Sequence, residues 1–480
     1  MKFSDLKHVY ILGIGGTLMG NFAIMLKRKG VEVFGSDHAL YPPMSDRLKE
    51  EKISVFEGYD ACHLDQVDPQ KGLVVIGNVI SANNPEAQAV MEKKLPVCSL
   101  PEFLENYFLQ KTHNLVVSGT HGKTTTAAIL AFLLDRIGKN PNYFVGGVVP
   151  ELEESFHVHQ LPPEGYFVLE GDEYDTAYWD KVPKFFHYCP DHVILTSIEF
   201  DHADIYSDMD MIRRAFDGLI ERIRPKGKLI YRGDDLEIRA LVERNHSLLQ
   251  KNQIDCFTFG KERRCDFQWR DVTHGDKTEF DFYYRDACLG RVEMHLSGEH
   301  NIHNALSVLA LLVMNELPIK SALKALSEFH GIKRRQEVRG QVGEVVVIDD
   351  FAHHPTAVAE TLKALRSKYP ERELLVAFEP RSATSRRKVF QDKYAESFDP
   401  ADEIYISVPY DQTRIDPEEC FSSEALVRSL KARNKTAFLL KTGTSEKVNQ
   451  LSLNSRGPSV LAVLSNGAFD GLIPAILDSD

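Results

Sequence analysis

One stretch constrains the chain more than any other: Leu115-Val-Val-Ser-Gly-Thr-His-Gly-Lys-Thr-Thr-Thr-Ala-Ala-Ile-Leu130, where an apolar run stops at a glycine-rich turn and resumes with helical character. A strand ending at Ser118 and a helix starting near Lys123 leave Gly119, Thr120, His121 and Gly122 to fold the backbone tightly. Their amides and the helix N-terminus, with Thr125 in its first turn, then converge on anionic oxygens. Lys123, read as a surface-facing cation, supplies charge to the outer phosphates, and Thr124 offers a hydroxyl to Mg²⁺. The spacing departs from the usual rule, because Val117 stands where the first glycine should be. Strand, Gly-x-x-Gly-Lys-Thr-Thr-Thr and helix together still predict a nucleoside triphosphate site.

At 480 residues the chain is too long for one core and predicts roughly three domains. Lys plus Arg 57 against Asp plus Glu 70 gives −13, which argues against a general nucleic-acid or membrane-surface binder. The seven cysteines contain no C-x-x-C pair, so neither a disulfide framework nor a thiolate zinc site is expected, and a reducing cytoplasm fits. The apolar stretch Val9 to Met19 is glycine-rich, runs into Lys27-Arg-Lys-Gly30 and lacks a small-residue cleavage site, unlike a signal peptide. No apolar run approaches the ~18 residues that span a bilayer.

Residues 1 to about 110 alternate strand and helix: His8–Gly13, Val31–Gly35 and Gly72–Gly77 read as parallel strands and Thr17–Lys29 as a helix. This is a Rossmann-like pattern. Its Gly13-Ile-Gly15-Gly16 turn can bring a pyrophosphate onto the helix start at Thr17, and Asp37 lies where a ribose-binding carboxylate is expected. Leu18 occupies the third glycine position, so a nicotinamide cofactor, another nucleotide diphosphate and mere tight packing all stay open.

From about 111 to 336 the α/β pattern continues. One predicted strand ends in Glu170-Gly-Asp-Glu-Tyr-Asp175 and another in Glu199-Phe-Asp-His202. Ligands of open α/β sheets collect at such carboxyl ends. Thr124, Glu170 and His202 therefore form a candidate ligand set for Mg²⁺ or Mn²⁺, although a solvated acidic loop and a structural histidine remain alternatives. Pieces such as Lys228–Tyr231, Phe257–Phe259 and Arg291–Leu296 read as an insertion beside the main sheet. The helix opening at Ser297-Gly-Glu-His-Asn-Ile-His-Asn304 sets Asn301 and Asn304 on one face, suited to an adenine edge or to helix capping.

From about 337 to 480 a second strand-helix alternation lacks a phosphate loop. Its predicted strands end in Asp349-Asp-Phe-Ala-His-His-Pro355, Glu379-Pro-Arg-Ser382 and Ser465-Asn-Gly-Ala468. The junction Gly331-Ile-Lys-Arg-Arg-Gln-Glu337 reads as a basic hinge.

Gly13-Ile-Gly-Gly16, Gly119-Thr-His-Gly-Lys-Thr124, Glu170-Gly-Asp-Glu-Tyr-Asp175, Asp201-His202, His300-Asn-Ile-His-Asn304, Arg334-Arg335 and Asp349–Pro355 stand in an order and at spacings that resemble the ATP-dependent Mur ligases of the bacterial cell wall. The resemblance covers nearly the whole chain. It implies an α/β protein of three domains: a Rossmann-like UDP-sugar-binding domain (1–110), a central P-loop ATPase domain (111–336) and a Rossmann-like C-terminal peptide-binding domain (337–480). It assigns Gly15, Gly16, Thr17, Asp37 and Asn78 to the UDP-sugar, and His300, Asn301 and Asn304 to adenine. Arg335 and Asp350 go to ATP, and His353, His354 and Arg381 to the amine substrate. The implied catalytic set is Lys123, Glu170, His202, Arg335 and Asp350, working with ATP and Mg²⁺ on an acyl phosphate. Several family members carry a carbamylated lysine after the Asp-His pair, whereas no lysine occurs here from Ala203 to Pro225.

Tyr41-Pro-Pro-Met-Ser45, Gly77-Asn78 and Glu379-Pro-Arg-Ser382 resemble the branch of peptidoglycan recycling that joins UDP-N-acetylmuramate to the tripeptide L-Ala-γ-D-Glu-meso-diaminopimelate. The alternative branch joins free L-alanine. An NAD-dependent oxidoreductase would use the first glycine turn but leaves Lys123, Glu170 and His202 without a task. A nucleotide-gated binding module would need no second nucleotide fold.

Overall fold

The computed structural model of the chain describes residues 2–41, 44–152 and 154–479. Pro42 and Pro43 of the Tyr41–Ser45 motif lie outside the described residues. Two compact units divide the chain: one comprises 1–198, 209–268 and 306–325, the other 199–208, 269–305 and 326–480.

The first unit begins with five parallel strands, β1 (His8–Leu12), β2 (Glu32–Asp37), β3 (Ser54–Glu57), β4 (Gly72–Ile76) and β5 (Val97–Ser99), in the order β3-β2-β1-β4-β5. β1 and β4 are buried throughout, as unbroken apolar runs in a parallel sheet require. Tyr10, Leu12, Val74 and Ile76 build one face of the core, and Tyr178 and Trp179 from the segment after the acidic burst pack against it. The strand order reverses beside β1, whose carboxyl end carries the first glycine turn and the helix Thr17–Arg28.

The same unit holds β6 (His113–Ser118), β7 (Asn142–Phe144), β8 (Phe156–His157), β9 (Tyr166–Gly171), β10 (His192–Leu195), β11 (Lys228–Arg232) and β12 (Asp255–Phe259), in the order β12-β11-β10-β6-β9-β7-β8. β11 and β12 continue the parallel pairing from β10. This corrects the expected insertion: Lys228–Tyr231 and Phe257–Phe259 belong to the main sheet. The helices Leu236–Arg244 and His246–Lys251 supply the crossover between them. Phe259 then pairs with Phe267, the first residue of β13 (Phe267–His274).

In the second unit β14 (Thr278–Tyr284) and β15 (Ala287–Met294) form an antiparallel hairpin. A six-stranded sheet follows, built from β16 (Glu337–Val342), β17 (Val345–Asp350), β18 (Glu373–Phe378), β19 (Glu403–Ile406), β20 (Thr436–Leu439) and β21 (Ser459–Leu464), in the order β16-β17-β21-β18-β19-β20. Only its β16–β17 pairing is antiparallel. Apolar layers cover both faces, one around Val376, Phe378 and Tyr394 and the other around Leu375, Leu461 and Leu472. No helix among the described residues is long and apolar enough to cross a membrane.

Candidate active site

β6 ends at Ser118, and the next four residues turn the chain into the helix Lys123–Arg136. Only glycine fits at 119, where φ is +133° and a Cβ would sit 2.3 Å from Thr196 Oγ1. Gly122 caps the helix in the left-handed conformation. The amides of Thr120 and His121 donate to the Ser197 carbonyl and hydroxyl, both at 2.9 Å, which pins the turn to the end of β10. The first intrahelical bond runs from Thr126 N–H to the Gly122 carbonyl, and no side chain caps the helix. The amides of Lys123, Thr124 and Thr125 are thus the open donors expected at a phosphate-binding helix start.

Lys123 is buried, not surface-facing as the sequence predicts. Its ammonium donates to the Gly119 carbonyl at 2.7 Å and to Glu173 Oε2 at 2.9 Å. Burial pulls the Lys123 pKa down, but Glu173, Asp172 and Glu170 outweigh it and leave the pKa above the ordinary value. The Thr124 hydroxyl donates to Glu170 Oε1 at 2.6 Å, and the Gly146 amide donates to Oε2 at 2.6 Å. Burial and the neighbouring Asp172 push the Glu170 carboxyl up, against the pull of Thr124, Gly146 and Lys123. A hydroxyl and a carboxylate this close, the latter short of positive charge, fit a hard divalent cation such as Mg²⁺. Glu173 sits in the predicted acidic burst but had no role assigned; which of its four carboxylates turns in to Lys123 is a packing outcome.

The first glycine turn is largely satisfied from within. Gly13 and Ile14 amides donate to the Ser36 carbonyl, and the Gly15 amide donates to Asp37 Oδ2 at 2.8 Å. Asp37 thereby braces the turn, and Tyr59 O–H also reaches it. Gly16 and Thr17 are exposed. The helix that follows has no side-chain cap and its first internal bond starts at Gly20, so Thr17, Leu18 and Met19 amides are the open donors here. Leu18 lines a cleft with Asn78, Phe144, Thr176, Lys184 and Tyr188. Asn78 is a sequence-predicted site residue, whereas Lys184, in the run Asp180-Lys-Val-Pro-Lys-Phe-Phe-His187, carries no motif that singles it out.

The second unit gathers the other candidates. Asp201 accepts from Thr384 O–H at 2.7 Å and from the His202 amide at 2.7 Å. Burial opposes its ionisation, but His202, His353, His354 and the Thr384 hydroxyl hold its carboxyl well below the usual range. His202 itself adopts a left-handed backbone, φ +54°. Burial pushes the His353 pKa down against the Asp201 charge. His354 Nε2 lies 3.2 Å from the Phe200 carbonyl.

Asp350 accepts from the Gln336 and Ala352 amides at 2.8 and 2.7 Å, and burial raises its carboxyl against the nearby Arg335 charge. Arg335 lies over the Phe351 ring. Asn301 Nδ2 donates back to the Ser297 carbonyl and Asn304 Nδ2 donates to Asn301 Oδ1, so the two amides form one buried pair. The His300 ring approaches Gln336 Nε2 at 3.3 Å. Arg381 stacks on Tyr410 at 3.6 Å, whereas Arg386 bonds the Asp411 carbonyl and Arg387 pairs with Glu419.

The chain carries the matching signatures in succession. Residues 8–112 match the family described as Mur ligase family, catalytic domain, residues 117–312 the Mur ligase middle domain, and residues 334–452 the Mur ligase, glutamate ligase domain. The chain is 35% identical to the UDP-N-acetylmuramate--L-alanyl-gamma-D-glutamyl-meso-2,6-diaminoheptandioate ligase of Escherichia coli over 98% of its own length and 97% of the relative's. It is 32% identical to the UDP-N-acetylmuramate--L-alanine ligase of Chlorobium phaeobacteroides over 85% and 83%. The crystal structure of a murein peptide ligase from Psychrobacter arcticus superposes with a TM-score of 0.72 and 30% identity, covering 98% of both chains. A short glycine turn braced by the end of β10, an acidic strand end facing it and three successive α/β domains thus have one common explanation: the chain belongs to the Mur ligase family.

Proposed function

We propose that the protein joins the lactyl carboxylate of UDP-N-acetylmuramate to the amine of L-Ala-γ-D-Glu-meso-diaminopimelate, with ATP cleaved to ADP and phosphate. The observation that carries this reading is the end-to-end similarity to a ligase of that name, 98% of this chain against 97% of the relative. The geometry is compatible with its chemistry. A carboxylate is a poor acyl donor, so it must first take the γ-phosphoryl group and become an acyl phosphate; the peptide amine then attacks the carbonyl carbon and phosphate leaves.

Two anions meet in the first step, and the protein must neutralise them. Lys123 and the amides of Lys123, Thr124 and Thr125 hold the phosphates. Thr124 and Glu170 would hold Mg²⁺, which masks phosphate charge when bound. Thr17, Leu18 and Asn78 receive the UDP-sugar, with Asp37 bracing Gly15 and Gly16 exposed beside them. His202 as a further metal ligand, His300, Asn301 and Asn304 on adenine, Arg335 and Asp350 on ATP, and His353, His354 and Arg381 on the peptide belong to the same proposal. So do domain boundaries near residues 110 and 336.

The test is phosphate release from ATP at fixed UDP-N-acetylmuramate, with the tripeptide or L-alanine varied. A kcat/KM for the tripeptide well above that for L-alanine is expected. Equal or greater efficiency with L-alanine would move the chain to the alanine-adding branch, to which it is also similar.

A further inference from the structure

Among the described residues, Lys184 is the one cation lining the cleft it shares with Leu18, Asn78, Thr176 and Tyr188. Its side chain is 11% exposed, and its nearest carboxylate, Asp172, is 3.5 Å away. The Tyr174 ring lies 5.6 Å from the ammonium. An ammonium has three donors. Among the described residues Asp172 is its one carboxylate partner, at a distance that leaves donor capacity for a second anion.

The segment that carries Lys184 is held firmly. Its own amide donates to the Tyr174 carbonyl, and Thr176 N–H donates to Val182. His187, in the same helical turn, bonds both Glu105 and Asp180. Tyr178 and Trp179 dock the loop on the core of the first sheet. The backbone that carries Lys184 is therefore fixed in place, and the residue lines the cleft.

The two walls of the cleft differ. On one, Leu18 belongs to the open helix start suited to a diphosphate. On the other, Lys184 pairs with Asp172, two residues beyond Glu170 and the phosphate turn it faces. A sugar nucleotide spanning the cleft would place its diphosphate at the first wall and its other anion at the second. We propose that Lys184 binds the carboxylate of the sugar nucleotide and holds it toward the phosphate turn, making it a specificity-determining residue for an acidic sugar. The assignment rests on the function proposed above.

The test uses the full chain and the variants Lys184→Met, Lys184→Gln and Lys184→Arg. Calorimetry measures UDP-N-acetylmuramate against UDP-N-acetylglucosamine, which has the diphosphate but no carboxylate, and steady-state kinetics add KM for ATP. Loss of the charge should weaken UDP-N-acetylmuramate at least tenfold, leave UDP-N-acetylglucosamine and the KM for ATP within twofold, and be largely rescued by Lys184→Arg. A change under threefold for UDP-N-acetylmuramate overturns the proposal. So does equal weakening of both sugars, which would assign Lys184 to the diphosphate or to loop structure. Should Lys184→Met unfold by circular dichroism, Lys184→Gln, which keeps length and polarity, decides. If the parent binds UDP-N-acetylmuramate and Lys184 behaves as stated but no ligation occurs, the proposed function fails and this site stands; if the parent binds neither sugar, both fall.

Discussion

At the scale of single residues, burial changes what Lys123 must do. Its charge is compensated by Glu173 at 2.9 Å, so removing the lysine strands a buried carboxylate as well as deleting the cation proposed to hold phosphate. Lys123→Ala should lower turnover by about 10²–10³ and stability by about 3 kcal/mol, the order expected when one member of a buried pair is deleted. Adding Glu173→Gln should recover most of the stability and none of the turnover; urea midpoints and kcat for the two variants check this. If the double variant regains activity, Lys123 is a structural ion and not a phosphate ligand. Gly119→Ala makes a steric test of the same turn: the new methyl would meet Thr196 Oγ1 at 2.3 Å with φ at +133°. ATP affinity should fall at least tenfold, read by calorimetry, and unchanged affinity would show that the turn does not bind phosphate. The strand, turn and helix around Lys123 and Thr124 were legible because Gly-Lys-Thr after an apolar run is a local pattern. Glu173 was not, because sequence cannot tell which of four neighbouring carboxylates turns inward.

At the scale of elements, the central sheet separates its two ends. The carboxyl ends of β6 and β9 carry the turn at residues 119–122 and Glu170, while the amino ends of β6 and β10 carry His113 and His192, whose Nε2 atoms lie 3.0 Å apart. Burial, then the facing His113 and Lys228, pull the His192 pKa down to about 4, against the Asp191 carbonyl and Asn315. In the unfolded chain a histidine titrates near 6.5, so the unfolded state takes up the proton first as pH falls. The contribution of this pair to stability is therefore full above about 6.5 and is lost progressively as pH falls toward about 4. Urea midpoints should drop between pH 7.5 and pH 5, and His192→Gln should flatten that slope. An unchanged slope in the variant would assign the acid sensitivity elsewhere. Strand-helix alternation was readable from apolar runs, yet β11 and β12 were misassigned to an insertion. Parallel pairing is non-local, and the polar crossover helices at 236–244 and 246–251 gave a weak pattern.

At the scale of the whole molecule, the first unit contains both glycine turns and the cleft lined by Lys184, while the second contains the Asp201, Asp350 and Asn301 clusters. The proposed UDP-sugar residues thus all fall in one unit, which makes a ligand-footprint prediction possible. Within the first turn of the chain's first long helix, Thr17, Leu18 and Met19 have no intrahelical acceptor, because the first bond runs from Gly20 to Gly16. Their amides exchange with solvent until an anion covers them. Gly13, Ile14 and Gly15 amides already bond Ser36 and Asp37, so a ligand should change them less. Hydrogen exchange read by mass spectrometry should therefore show UDP-N-acetylmuramate slowing peptides that contain residues 17–19 and 78. Peptides from the six-stranded sheet should stay within error, since none of the proposed sugar contacts lies there. NADH at the same concentration should protect neither region: the turn lacks the third glycine that close approach of a dinucleotide uses, Leu18 stands in its place, and Asp37 is spent on the Gly15 amide. Protection of residues 17–19 by NADH and not by UDP-N-acetylmuramate would hand the first sheet to a redox cofactor and remove the sugar-nucleotide site from which the ligation argument starts.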